Sequence, residues 1–137
     1  MIKLVVNTDG GSRGNPGPAA LGAVVYGDDG AEIIRLKKTI GVATNNQAEY
    51  QALVLVLEWV LRQYQTANVI ARLDSELVVK QLRGQYKMKN AALRSHFERV
   101  LQLVKDLGGE VQFEHVPREQ NKLADQLVNE ALDGVLE

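Results

Sequence analysis

Four carboxylates stand where plain packing would not put them. Asp9 closes the apolar run IKLVVNTD, and Asp74 closes VIARLD. In open α/β sheets, ligands gather beyond the carboxyl ends of strands, so two acids there are well placed for chemistry. Glu49 is followed at i+3, i+4, i+7, i+8 and i+11 by Ala52, Leu53, Val56, Leu57 and Val60, so it heads a helical stripe that otherwise faces a core. A helix N-terminus favours a carboxylate by only about 0.3–1 kcal/mol, which does not explain an inward direction. Asp125 borders a second stripe, Ala124, Leu127, Val128, Ala131 and Leu132. Taken singly, each has a bland explanation as a turn former, cap or dipole complement.

Brought together, the four would repel by roughly 3 kcal/mol per pair at about 5 Å and an effective dielectric near 20. A positive charge must therefore sit among them, and no Lys or Arg occupies a matching inward position in the pattern. With no cysteine and two separated histidines, a zinc cage is disfavoured. Oxygen-only donors suit Mg²⁺, with Mn²⁺ the alternative. Two such ions can hold the attacking and leaving oxygens of a phosphodiester during in-line displacement.

The elements that must position these acids follow from periodicity. Residues 2–9 alternate as a largely buried strand, and residues 20–27 and 32–41 read as two more around the turn DDG. TNNQAEYQALVLVLEWVLRQY, residues 44–64, switches to helical spacing after a capping start. A strand at 69–73, a short helix at 75–82, a loop at 84–90, a helix at 91–107, a strand at 111–116 and a helix at about 119–132 complete the chain. Hairpins join antiparallel neighbours, and helical crossovers return strands parallel. The expectation is one α/β domain over residues 1–137: a five-stranded mixed sheet, three antiparallel strands then two parallel, flanked by helices.

At 137 residues, with 45% hydrophobic and 24% charged, the chain is long enough for a core of its own. A net charge of −1 argues weakly against a polyanionic partner. Setting aside the four acids leaves 13 acidic against 16 basic residues, and residues 77–97 carry Lys80, Arg83, Lys87, Lys89 and Arg94 with no acid. That run is either a solvated face or a place for a nucleic-acid backbone. No leader and no apolar run near 18 residues is visible, so the sequence predicts no membrane association and a cytoplasmic location.

The motifs TDGGSRGNPGPAALGAVVY, TNNQAEYQAL, LDSELVVKQL and HVPREQNKLADQLVNEAL, in this order and spacing, resemble those of type 1 ribonuclease H over nearly the whole chain. The resemblance implies a ribonuclease H-like fold and cleavage of the RNA strand of RNA–DNA hybrids by two Mg²⁺ ions, leaving 5′-phosphate and 3′-hydroxyl ends. It implies that Asp9, Glu49, Asp74 and Asp125 are the catalytic metal ligands. Asp9 would bridge both ions, Glu49 and Asp74 hold the ion near the leaving group, and Asp125 hold that near the attacking water. Substrate contacts are expected from Gly11, Ser12, Arg13, Gly14, Asn15, Thr44, Asn45, Asn46, Glu76, Lys87 and Lys89. Thr44 would help hold a DNA phosphate, and Glu49, Asn46 and the backbone near Gly14 would test for the 2′-hydroxyl. Gly10, Gly11 and Gly14 are expected to turn the chain sharply after Asp9 and admit the polynucleotide. A monomer acting on hybrids completes the expectation, and the sequence does not decide whether double-stranded RNA is also cut.

The chain departs from the family pattern in three respects. Pro117-Arg118-Glu119-Gln120 replaces a longer loop that carries a histidine in many members, with Arg118 or Glu119 the residues to take its place. His115 shares parity with Val111 and Phe113 and reads as a packed or edge residue. The segment RGQYKMKN lacks tryptophan, and no accessory hybrid-binding segment precedes Ile2, which together predict weaker and more salt-sensitive binding. The rival readings are a nucleic-acid-binding module with a structural cation, a 3′–5′ exonuclease of related fold, and the nuclease domain of a reverse transcriptase. Gly11 stands where such exonucleases place a glutamate two residues after the first aspartate.

Overall fold

A computed structural model describes residues 1–134; the last three residues of the expected domain lie outside the described ones. The chain runs β1 (Lys3–Ser12), β2 (Gly17–Gly27), β3 (Glu32–Ala43), α1 (Asn45–Tyr64), β4 (Ala67–Leu73), α2 (Glu76–Leu82), α3 (Ala91–Leu107), β5 (Gly108–His115), a 3-10 turn (Arg118–Gln120) and α4 (Lys122–Leu132). The strands form one sheet in the order β3-β2-β1-β4-β5. β1 is antiparallel to β2, and β2 to β3, whereas β4 lies parallel to both β1 and β5. This is the mixed sheet that the hairpin and crossover argument requires.

Parity sorts the two faces. Leu4, Val6, Ala23, Val25, Val69, Ala71 and Phe113 point to the face covered by α1 and α3, where Tyr50, Leu53, Val56, Leu57, Val60, Val100, Leu103 and Leu107 complete the core. The opposite face is covered by α4 over β1, β2 and β3. Helix ends are fixed by local chemistry. Thr44 and Gln47 form a reciprocal capping box at the start of α1, and α3 ends on Gly108 at φ 67°. No described helix is long and apolar enough to cross a membrane.

Two expectations need correction. β1 does not stop at Asp9. It continues through Gly10, Gly11 and Ser12, which pair with Leu21, Ala20 and Ala19, so β2 also begins earlier, at Gly17. The glycines read as a turn because glycine weakens a strand, yet here the β2 ladder and the close approach of α1 keep them extended. The real turn comes at Gly14, whose φ is +94°. The last helix starts at Lys122, because a 3-10 turn occupies Arg118–Gln120. The DDG turn stands as expected, with Gly30 at φ +83° and its amide donating to the Gly27 carbonyl at 3.0 Å.

Candidate active site

Two glycines bring the carboxylates within reach of one another. At Gly10 a Cβ would fall inside the Ala48 carbonyl, so its absence lets the first turn of α1 descend onto β1. The Gly10 amide then donates to Glu49 Oε1 at 2.8 Å. Gly10 therefore serves the approach of a helix, whereas the sequence suggested the approach of a polynucleotide. Gly22, paired with Asp9 across the β1–β2 ladder, does the same for α4, since a Cβ there would strike the Ala124 carbonyl and Leu127 Cβ. An isolated glycine within a strand pattern is the signal that could have found Gly22.

Asp9, Glu49 and Asp74 come together as the stripe and strand-end arguments anticipate. Each offers a carboxylate oxygen, and the three lie within 4.8 Å of one another. Asp9 and Glu49 are buried, at 7% and 6% exposure, while Asp74 is half-buried beyond the end of β4. Asp125 reaches the same cleft from the first turn of α4, but its oxygens are outside that tight group. Arg118 faces Asp125, Nη2 to Oδ1, at 3.7 Å. It is a partial exception to the expectation that no basic side chain enters, since the guanidinium lines the cleft while remaining 79% exposed.

The electrostatics follow from burial and like charge. Burial, together with the nearby Asp74 and Asp125, pushes the Asp9 carboxyl up to about 7, against a lowering contribution from Glu49. Burial likewise raises Glu49 well above the ordinary carboxylate range, and Asp9 adds to the rise. Asp74 is raised by burial and restrained by Arg118. Glu49 Oε2 is buried with no hydrogen-bond partner among the described residues. An all-oxygen set with an orphaned, inward carboxylate oxygen fits a hard divalent cation.

The cleft, about 520 Å³, is also lined by Gly11, Ser12, Arg13, Asn45 and Asn129. Asn45 Oδ1 accepts from the Ser12 amide at 2.9 Å and its hydroxyl at 3.2 Å, and the Asn45 amide donates to Asn15 Oδ1 at 3.0 Å. These bonds lock the Ser12–Asn15 loop to the start of α1. Arg13 pairs with Asp133 at 2.7 Å. Thr44 accepts from the Gln47 amide as a helix cap, and Asn46 is half-buried beside it.

Other expected residues stand apart from the cleft. Glu76 is exposed and paired with Lys80 at 3.1 Å, and Lys80 lies 5.1 Å from the Tyr86 ring centroid. Lys87 and Lys89 are exposed on the loop before α3, and neither lines the cleft. Three members of the basic run are engaged within the protein: Lys80 as above, Arg83 donating to the Phe113 carbonyl at 2.8 Å and Arg94 to the Met88 carbonyl at 3.4 Å. Glu119 sits with Arg118, Lys122 and Asp125 around a shallower depression of about 310 Å³. His115 is exposed at the end of β5, the edge strand, opposite Leu73.

A family model described as reverse transcriptase-like matches residues 7–131. The chain is 45% identical to the ribonuclease HI of Halobacterium salinarum over 91% of its own length and 62% of that protein. It is 40% identical to a bifunctional protein of Mycobacterium tuberculosis over 97% of its own length but 36% of that one, so it spans only part of these relatives. Among solved structures, LC11-RNase H1 in complex with an RNA/DNA hybrid is 39% identical, with a TM-score of 0.91, over 98% of this chain and 99% of the other.

Proposed function

Because the chain belongs to the type 1 ribonuclease H family, we propose that it hydrolyses the RNA strand of RNA–DNA hybrids endonucleolytically. The observation that carries this reading is the convergence of Asp9, Glu49 and Asp74 from β1, α1 and the end of β4, with their oxygens within 4.8 Å. The hybrid held by a relative 39% identical to this chain supports the substrate class.

Asp9, Glu49 and Asp74, joined by Asp125 from α4, would hold two Mg²⁺ ions, or Mn²⁺ in their place. When bound, the ions supply the Lewis acidity for in-line displacement at a phosphodiester, giving 5′-phosphate and 3′-hydroxyl ends. The chain's residues set up that chemistry. Gly10 fixes Glu49 through Oε1 and leaves Oε2 free of that bond. Asn45 pins the Ser12–Asn15 loop, and Ser12, Arg13 and Asn45 line the cleft, so these three can meet a nucleic-acid strand along one lip. Arg118 lines the same cleft beside Asp125 and supplies a cation to a phosphate oxygen. Thr44 keeps its hydroxyl hydrogen for donation, since the cap uses the oxygen as acceptor. Lys87 and Lys89 would hold the DNA backbone at a distance from the cleft.

The test compares labelled RNA–DNA hybrid, double-stranded RNA and single-stranded RNA incubated with Mg²⁺, Mn²⁺ or chelator. Cleavage of the hybrid with either metal, lost in chelator and in Asp9→Asn, is the expected result. A protein stabilised by Mg²⁺ that leaves the hybrid intact would instead be a binding module.

A further inference from the structure

Asn121 is 1% exposed and occupies the N-cap position of α4, yet its side chain caps nothing. An N-cap asparagine ordinarily turns its oxygen onto an amide of the first helical turn. Here Nδ2 donates instead to the Thr8 carbonyl at 2.8 Å, across 113 residues of sequence. The Asn121 carbonyl meanwhile accepts from the Asp125 amide at 3.1 Å. One residue is thus fastened on one side to the neighbour of Asp9 and on the other to Asp125 itself.

The place of this bond in the sheet matters. The parallel ladder between β1 and β4 ends at the Asn7–Arg72 pair, and just beyond it Asp9 and Asp74 line the same cleft. Thr8 is the next residue along β1, and its carbonyl meets Asn121 rather than β4. The arrangement is costly, since Asn121 Oδ1 and Thr8 Oγ1 are both buried without a partner among the described residues. A leucine, with the same number of side-chain heavy atoms, would leave no orphaned oxygen at position 121. What it would lose is the tie to β1.

We propose that Asn121 is a positioning residue for the carboxylate cluster: its bond to Thr8 sets the separation of Asp9 from Asp125, and with it the affinity of the cluster for a divalent cation. This rests on reading the cluster as a cation site. Partners that hold metal ligands in place typically change metal affinity about 10–100-fold when removed.

The experiment uses Asn121→Leu, which keeps the number of side-chain heavy atoms and removes the donor, and Asn121→Ser, which is smaller and offers a hydroxyl donor in place of the amide. Mg²⁺ and Mn²⁺ are titrated calorimetrically into substrate-free protein, beside thermal melts in chelator and kcat and KM on the hybrid at several metal concentrations. Expected is a metal Kd raised about tenfold or more in Asn121→Leu, less in Asn121→Ser. KM for the hybrid should stay within about twofold, and excess metal should recover most of kcat. Unchanged metal Kd beside a lowered Tm would make Asn121 merely structural and overturn the proposal, and so would failure of both variants to fold. If wild-type protein takes up cations but leaves the hybrid intact, the nuclease reading falls while the titration still decides the role of Asn121.

Discussion

The Gly10 amide donates to Glu49 Oε1 at 2.8 Å, and the same glycine leaves the space into which Ala48 settles. Gly10→Ala is therefore expected to displace the first turn of α1 and not merely a side chain. Overpacking of this kind costs about 1–3 kcal/mol, and the shift of Glu49 should abolish hybrid cleavage. Urea denaturation and a cleavage assay check both. Gly11→Ala is the control: its Cβ would meet only Val128 Cγ1 at 3.6 Å, so stability should stay near wild type.

The raised Asp9 and Glu49 carboxyls make stability without metal depend on pH in a defined direction. Asp9 titrates near 7 in the folded protein against 3.8 as its ordinary value, so the native state holds a proton that the unfolded chain releases. Its contribution is complete below about 4 and is lost as pH rises towards 7, by up to about 1.4 kcal/mol per pH unit for each such group. Glu49 acts in the same direction. Chelated protein should be more stable to urea at pH 5 than at pH 8, Asp9→Asn should flatten that slope, and Mg²⁺ should restore wild-type stability at pH 8. Greater stability of the chelated wild type at pH 8 would contradict the burial argument.

Periodicity exposes side chains that face the wrong way, and it is silent on bonds between distant segments. Glu49 was legible because Ala52, Leu53, Val56, Leu57 and Val60, all buried, define the face it shares. Asp9 and Asp74 were legible from the strands that carry them, though the glycines after Asp9 disguised the continuation of β1. Gly22 escaped notice because its reason is the α4 backbone, about a hundred residues away. Asn121 escaped because its bond to Thr8 is the meeting of a helix start with a strand end, and a helix begun at about residue 119 took Asn121 into its first turn.

The proposed backbone contacts of Lys87 and Lys89 would separate binding from chemistry. Both are exposed on a loop outside the cleft lining, so neither touches the carboxylates. Lys87→Ala/Lys89→Ala should raise KM for the hybrid while kcat at saturation is retained. Each lost phosphate contact lowers the slope of log affinity against log salt by about 0.7–0.9. Binding measured between about 50 and 200 mM salt should show a slope reduced by between one and two. An unchanged slope would assign the loop to solvent.

Arg118 lies 3.7 Å from Asp125 and holds down the Asp74 carboxyl that burial would otherwise raise further. Two effects follow from Arg118→Ala, and they can be told apart. Without the guanidinium, Asp74 should take up its proton at a higher pH, so the acid limb of kcat/KM should move upward in pH. On the proposed phosphate contact, loss of this cation should also lower kcat at the plateau, by roughly tenfold for one charge-assisted bond of about 1.5 kcal/mol. Arg118→Lys keeps the charge but not the planar fork, so it should restore the position of the acid limb without restoring the full plateau. A shifted limb with an unchanged plateau would confine Arg118 to tuning the carboxylates, and wild-type behaviour in both would remove it from the site.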